Sequence, residues 1–455
     1  MITSEYKEQV KKWNCFAASD TLGSFDFYTT IVSLDSLDTS DVRTCNQSIF
    51  EYAQQRLRNS SVMLDSSSYH AITKVYPLAA HEYTHFFDAT STLWGFRHLA
   101  LMKEAYESND QLGGNESGFY KAKLFYDHVR RLRLPKYYTL IDDNASNIRP
   151  WSYQFSAGIV FDGKGEISTL PTIFTRFGNS NGDFLVRSPI SMVSLLEMSA
   201  MSQEVLVHLS FLGMTNDSFR NVEGSLYSHR LMDYLYNPHI TEYSVCVHLV
   251  ANNLKLTDPQ MAFRVCAHAS RLILNMPYRR FEDLATPTLI SDVLEISREH
   301  DFVKRLVSGL KARDYGTLFF IFASALSRPS WNASQPISDL IQSTLAILGM
   351  SIEQVQAESQ AEALELSESI RLSHFAEISA LADACYENFG KGFDGALRIP
   401  FERINLPPAL LADSTSSLIF PNSENRLASF DIDLAFDSLY GRGQEWVERF
   451  AEACI

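Results

Sequence analysis

The chain has 455 residues, 45% of them hydrophobic, which permits two or three domains with a sizeable core and argues against disorder. Its formal charge is −15 and no large basic block interrupts it. That balance argues against nucleic acid and anionic membrane as main partners, because both reward clustered Lys and Arg.

The six cysteines, Cys15, Cys45, Cys246, Cys266, Cys385 and Cys454, are far apart and form no CxxC pair. They read as reduced thiols rather than a disulfide scaffold or a thiolate zinc site. The N-terminal MITSEYKEQVKKWN is charged and lacks an apolar signal core. The most apolar run, TLFFIFASALS at 317–327, is too short to cross a bilayer. The expectation is a soluble, cytoplasmic protein.

In chain order, residues 1–70 mix short β-like pieces (FDFYTTIVSLD) with a helix near 47–58. A helix follows that carries PLAAHEYTHFFD at 77–88, with Pro77 read as a first-turn residue whose missing N–H costs nothing. The pattern is helical again from about 96 to 133, broken by LGGNESG at 112–118. Over 137–187 the segments SYQFSAGIVFD, EISTLPTIFTRFG and DFLVRS are rich in β-branched and aromatic residues and predict strands. FDGKGE and GNSNGD between them lack the length and ligand count of a calcium loop and read as hairpin turns. Helices dominate from Ser188 to about 390, with SRPSWNASQP at 327–336 as a connector. The five glutamates of IEQVQAESQAEALELSES at 352–369 read as a solvated helix face. The last stretch holds Pro and Ser turns and ends on the helical GQEWVERFAEACI. The expected fold class is α+β, mostly α-helical. Its expected division is 1–240, with a β-rich insert near 137–187, and a mainly helical 241–455.

HEYTH is the stretch that carries chemistry. Residues four apart share a helix face, so His81 and His85 can aim one ring nitrogen each at a single point. Neutral imidazole is a usual zinc ligand at about 2.0–2.1 Å. Glu82, next in sequence to His81, points aside and can reach water at such a metal without ligating it. The neighbours Leu78, Ala79, Ala80, Tyr83, Thr84, Phe86 and Phe87 are uncharged. Burying two imidazoles and a carboxylate among them is costly unless they are paired or bound to metal.

LAAHEYTHFF resembles the zincin metallopeptidases, whose motif is HExxH with uncharged surroundings and a hydrophobic residue after it. The resemblance spans about ten residues and concerns the site. It implies a zinc ion on His81 and His85, Glu82 as general base, and a small β-sheet beside the HExxH helix. The longer HExxHxxGxxH variant is not met, because position 88 is Asp and position 91 is Ser.

A catalytic zinc needs a third protein ligand. In SPISMVSLLEMSAMSQEVLVHLSFLG, at 188–213, Glu197 and Glu204 are the only charged residues and His208 is the only other ionisable group. This reads as a buried helix with Ser188 as cap and Pro189 in the first turn. The three ionisable residues share one stripe, so Glu197 is the favoured ligand, with the others placed to support it. Glu104 is the alternative, at a spacing found in one aminopeptidase-like branch of the glutamate-type zincins, and His98 is a further one. Asp88, seven residues after His81, is placed to orient a ligand imidazole, to cap the helix or to be exposed. Glutamate-type zincins usually add a Tyr or His that donates to the oxyanion, and Tyr227, His229, Tyr234, Tyr236, His239 and Tyr243 all remain open for that role.

The leading expectation is therefore an intracellular zinc metallopeptidase of glutamate type, acting on a protein or peptide. The helical C-terminal part would restrict access or hold a regulatory protein partner. A zinc amidohydrolase acting on a small molecule, and a non-catalytic helical interaction protein with an accidental HExxH, are the alternatives.

Overall fold

The computed structural model describes residues 22–110, 116–161, 167–392 and 398–454. It is mostly helical with two small sheets, in agreement with an α+β class. The elements run β1 (Ser24–Phe25), β2 (Val32–Leu34), α1 (Thr39–Arg58), α2 (Ser66–Thr90), α3 (Leu93–Glu107), α4 (Tyr120–Leu132) and β3 (Leu140–Ile141). Then come β4 (Ser152–Phe161), β5 (Ile167–Gly178), β6 (Phe184–Pro189), α5 (Met192–Leu212), α6 (Asp217–Leu235), α7 (Thr241–Asn253) and α8 (Pro259–Leu274). The rest are α9 (Tyr278–Leu284), α10 (Pro287–Leu294), α11 (Asp301–Lys311), α12 (Tyr315–Ala325), α13 (Ile337–Ile347), α14 (Ile352–Arg371) and α15 (Ala376–Gly392), followed by β7 (Ala409–Leu411), β8 (Ser416–Ser417), α16 (Ile432–Ala435) and α17 (Glu445–Ala453). Among the described residues, no helix is long and apolar enough to cross a membrane.

Two compact units result: Met1–Val129 with Ala200–Ser228 and Ala363–Ile455, and Arg130–Ser199 with His229–Glu362. This departs from the 1–240 and 241–455 division expected from the sequence. Sequence order misleads because each boundary falls inside a helix (α4, α5, α6 and α14), where no Gly- or Pro-rich linker marks it.

In the first unit, β1 and β2 pair antiparallel, β2 runs parallel to β7, and β8 closes the sheet in the order β1-β2-β7-β8. Asp26 organises the β1–β2 turn by accepting from the Tyr28 N–H at 3.0 Å and the Thr29 hydroxyl at 2.6 Å. Strands β1 and β2 pack on α2. The sheet that flanks the motif helix thus draws on residues 24–34, as the β-like N-terminal pieces suggested, but also on 409–417. Nothing in the local pattern of 409–417 marks it as a partner of β2. The carbonyl of Pro407, just before β7, accepts from the Tyr83 hydroxyl at 2.6 Å and ties that segment to α2.

Helix α2 starts eleven residues before Pro77. Asp65 caps it, accepting from the backbone N–H groups of Ser67 and Ser68. Pro77 therefore lies in the helix interior, not in the first turn as its sequence suggested. Interior proline costs about 3 kcal/mol. Here burial of almost the whole turn-by-turn surface from Val75 to Thr90 offsets it.

In the second unit, β3-β6-β5-β4 form an antiparallel sheet in which β4, β5 and β6 match the three β-rich segments of 137–187. The Asn179 side chain organises the β5–β6 turn by accepting from the N–H groups of Asn181 and Asp183, as a hairpin reading of GNSNGD implies. Helices α11 and α12 pack on β5, and α7 packs on β6. The apolar run at 317–327 falls on α12, which is buried along nearly its whole length. Two sequence readings change here. Ser188 and Pro189 end β6 and pair with Thr175 and Phe174, so neither caps α5, which begins at Met192. The FDGKGE turn lies almost wholly outside the described residues.

Candidate metal centre

Helix α2 presents His81 and His85 one turn apart, with ring centroids 5.0 Å apart and planes at 77°. The exposure falls from 13% for the His81 side chain to 1% for His85. Helix α5 starts and ends within one apolar sequence, and the unit boundary at 199/200 falls inside it, so one continuous helix carries both Glu197 and Glu204. Its C-terminal part meets α2 in an antiparallel sense. Near the start of α2 the Tyr69 hydroxyl lies 2.8 Å from Nε2 of His208, and farther along Nδ1 of His81 lies 3.0 Å from Oε2 of Glu204.

His81, His85 and Glu197 each offer a ligand atom, and these atoms lie within 4.8 Å of one another. Glu197 is buried, at 3% exposure. A tetrahedral ion at about 2.0–2.1 Å from its ligands sets donors roughly 3.3 Å apart. Side-chain torsions closing each pair by no more than about 1.5 Å satisfy that requirement. Two imidazoles and one carboxylate match the donor set of catalytic zinc sites, and also suit other first-row divalent ions.

A carboxylate only accepts, so the bond to Glu204 places a proton on His81 Nδ1, and in the neutral ring Nε2 is then the lone-pair nitrogen. Burial, and secondarily the neighbouring His81, hold the His85 pKa well below its ordinary value, so its imidazole is neutral. Glu82, 3% exposed, extends to the backbone at the start of β1: a Cβ placed on Gly23 would lie 2.8 Å from Glu82 Oε1.

The other candidates have the following surroundings. Glu104 is on α3 with its side chain 51% exposed and an ion pair to Lys121 at 3.5 Å, an ordinary surface arrangement. His98 bonds the Phe27 carbonyl through Nε2 at 2.9 Å and His128 through Nδ1 at 3.2 Å. Asp88 is buried rather than exposed. Its carbonyl accepts from the Thr92 hydroxyl at 2.6 Å, where α2 gives way to α3. Tyr227 stacks on His208 with centroids 3.7 Å apart. His208 in turn meets the Tyr69 hydroxyl near the start of α2. Within the second unit, Tyr236 packs on Trp151 and Tyr243 lies under the Arg133 guanidinium.

Sequence reasoning missed Gly23 and Tyr69. Neither stands in a motif, and only the three-dimensional approach of β1 and α5 to α2 singles them out. No family model matches the chain, and no curated protein and no solved structure matches it.

Proposed function

We propose that the chain is a zinc-dependent hydrolase of zincin type that cleaves a peptide bond. The observation that carries this reading is the convergence of His81 and His85 with Glu197, more than a hundred residues away in sequence. A divalent ion held there supplies a Lewis acid that polarises a carbonyl and acidifies water.

The protein's own groups do the rest. Glu204 keeps the His81 ring in one tautomer and one orientation. Burial keeps His85 neutral. Glu82, on the same turn and set against the start of β1, takes the proton of the attacking water as its oxygen bonds to the carbonyl carbon. As the C–N bond breaks, Glu82 delivers that proton to the leaving nitrogen. Its burial restricts the carboxylate to few positions, as a shuttling base requires.

Glu82→Gln tests the reading. It preserves size and leaves the proposed ligands untouched. The expected result is one zinc per chain and a fall of at least about 100-fold in cleavage of a fluorogenic peptide library, the usual weight of a general base. Unchanged cleavage by that variant defeats the proposal.

A further inference from the structure

We infer that Gly23 is a positioning residue for Glu82: the bare backbone before β1 sets where the carboxylate rests. This rests on the hydrolase reading above and adds to it a residue outside the HExxH motif. A Cβ at position 23 would lie 2.8 Å from Glu82 Oε1, 2.9 Å from Glu82 Cγ and 3.0 Å from the Ser33 carbonyl oxygen. All three are closer than ordinary van der Waals contact.

Glycine is not demanded there by backbone conformation. Among the described glycines, the positive φ values belong to Gly182 and Gly349, not to Gly23. Space is the reason for it. The backbone side of the contact is stiff, because Ser33 is paired with Ser24 on one edge and with Leu410 on the other. The group that yields to a new methyl is therefore the Glu82 side chain. Since Glu82 is almost fully buried, it has no solvent to swing into and moves off its resting place.

Other tight glycines differ in what they face. Gly392 lies against the Phe87 ring and Gly443 against the Tyr106 ring, so a methyl there disturbs apolar packing. Of the described glycines, Gly23 alone has a carboxylate as the nearest atom to its missing Cβ. That carboxylate belongs to the residue assigned to carry the proton.

The test compares wild type, Gly23→Ala, Glu82→Gln, Glu82→Ala and the Gly23→Ala/Glu82→Ala pair, all as the full chain. Zinc per chain is measured after dialysis, kcat and KM on the fluorogenic peptide library, and Tm by thermal melting. Gly23→Ala is expected to keep its zinc and a KM within about threefold, while kcat falls about 100-fold. Alanine lacks both the Cγ and the carboxylate that the new methyl would meet, and so vacates its space. In the Glu82→Ala background, Gly23→Ala should therefore lower Tm less than it does in wild type. A wild-type kcat in Gly23→Ala, or Tm changes that simply add, overturns the inference. If Glu82→Gln is fully active, or if no zinc binds or no peptide is cleaved, the hydrolase reading fails instead. The Tm cycle still decides whether Gly23 sets Glu82.

Discussion

Nδ1 of His81 lies 3.0 Å from Oε2 of Glu204, joining a proposed ligand to a second acidic residue of α5, one that ligates nothing itself. Removing such a supporting carboxylate typically costs 10–100-fold in metal affinity. Glu204→Ala is expected to weaken zinc binding by about that factor in a competition titration against a chromophoric chelator. Glu204→Gln, which retains an oxygen acceptor for the Nδ1 proton, is expected to lose less. Equal affinity in wild type and Glu204→Ala would mean the bond does not orient His81.

The two glutamates weighed as third ligand are separated by environment. Glu197 is buried beside both histidines, whereas Glu104 sits at the surface on Lys121. Glu197→Ala should lose zinc on dialysis and Glu104→Ala should retain it. An exposed ion pair of the Glu104 kind contributes only about 0–1 kcal/mol, so Glu104→Ala should also melt close to wild type.

Stability should fall in mild acid through His98, a buried histidine outside the proposed ligand set. Burial holds His98 down at about 4, below its ordinary 6.5, although its bond to the Phe27 carbonyl pulls the other way. The unfolded chain then binds a proton at a pH where the folded chain does not. The contribution is complete above about 6.5 and is lost as pH falls through 4. Urea unfolding between pH 7 and 4 should show this decline, and His98→Gln should flatten it, by an amount on the order of 3 kcal/mol at most. An identical slope in both proteins would remove His98 as a source.

The junction between α2 and α3 should tolerate no side chain at position 95. A Cβ on Gly95 would lie 2.5 Å from the Asp88 carbonyl oxygen and 2.6 Å from backbone atoms of Ala89 and Thr90. Backbone cannot step aside as a side-chain tip can. Gly95→Ala should therefore cost on the order of 1–3 kcal/mol in thermal or urea unfolding, more than Gly182→Ala, whose Cβ meets nothing within 4 Å and whose cost is only its φ of +88°.

Much of the local structure was legible in the chain because period and punctuation reported it directly. The strands at 152–189 showed their alternation and turn residues, and Glu197 stood out as one of two charges on an otherwise apolar helix. What was not legible depends on pairing across distance. The strand at Ala409–Leu411 is too short to carry a pattern, and only its parallel contact with β2 gives it meaning. Pro77 looked like a helix start because the weakly amphipathic turns before it, capped by Asp65, carry less hydrophobic signal than those after it. The role of Gly23 is invisible in sequence, since the atom that matters is one the residue lacks.

The central claim is that His81, His85 and Glu197 hold one catalytic metal ion, and zinc content after exhaustive dialysis tests it most directly. The account predicts one zinc per chain in the wild-type protein and none in His85→Ala, with both proteins folded by circular dichroism. A wild-type protein that emerges folded and free of zinc, or a His85→Ala protein that keeps its full complement, would contradict it.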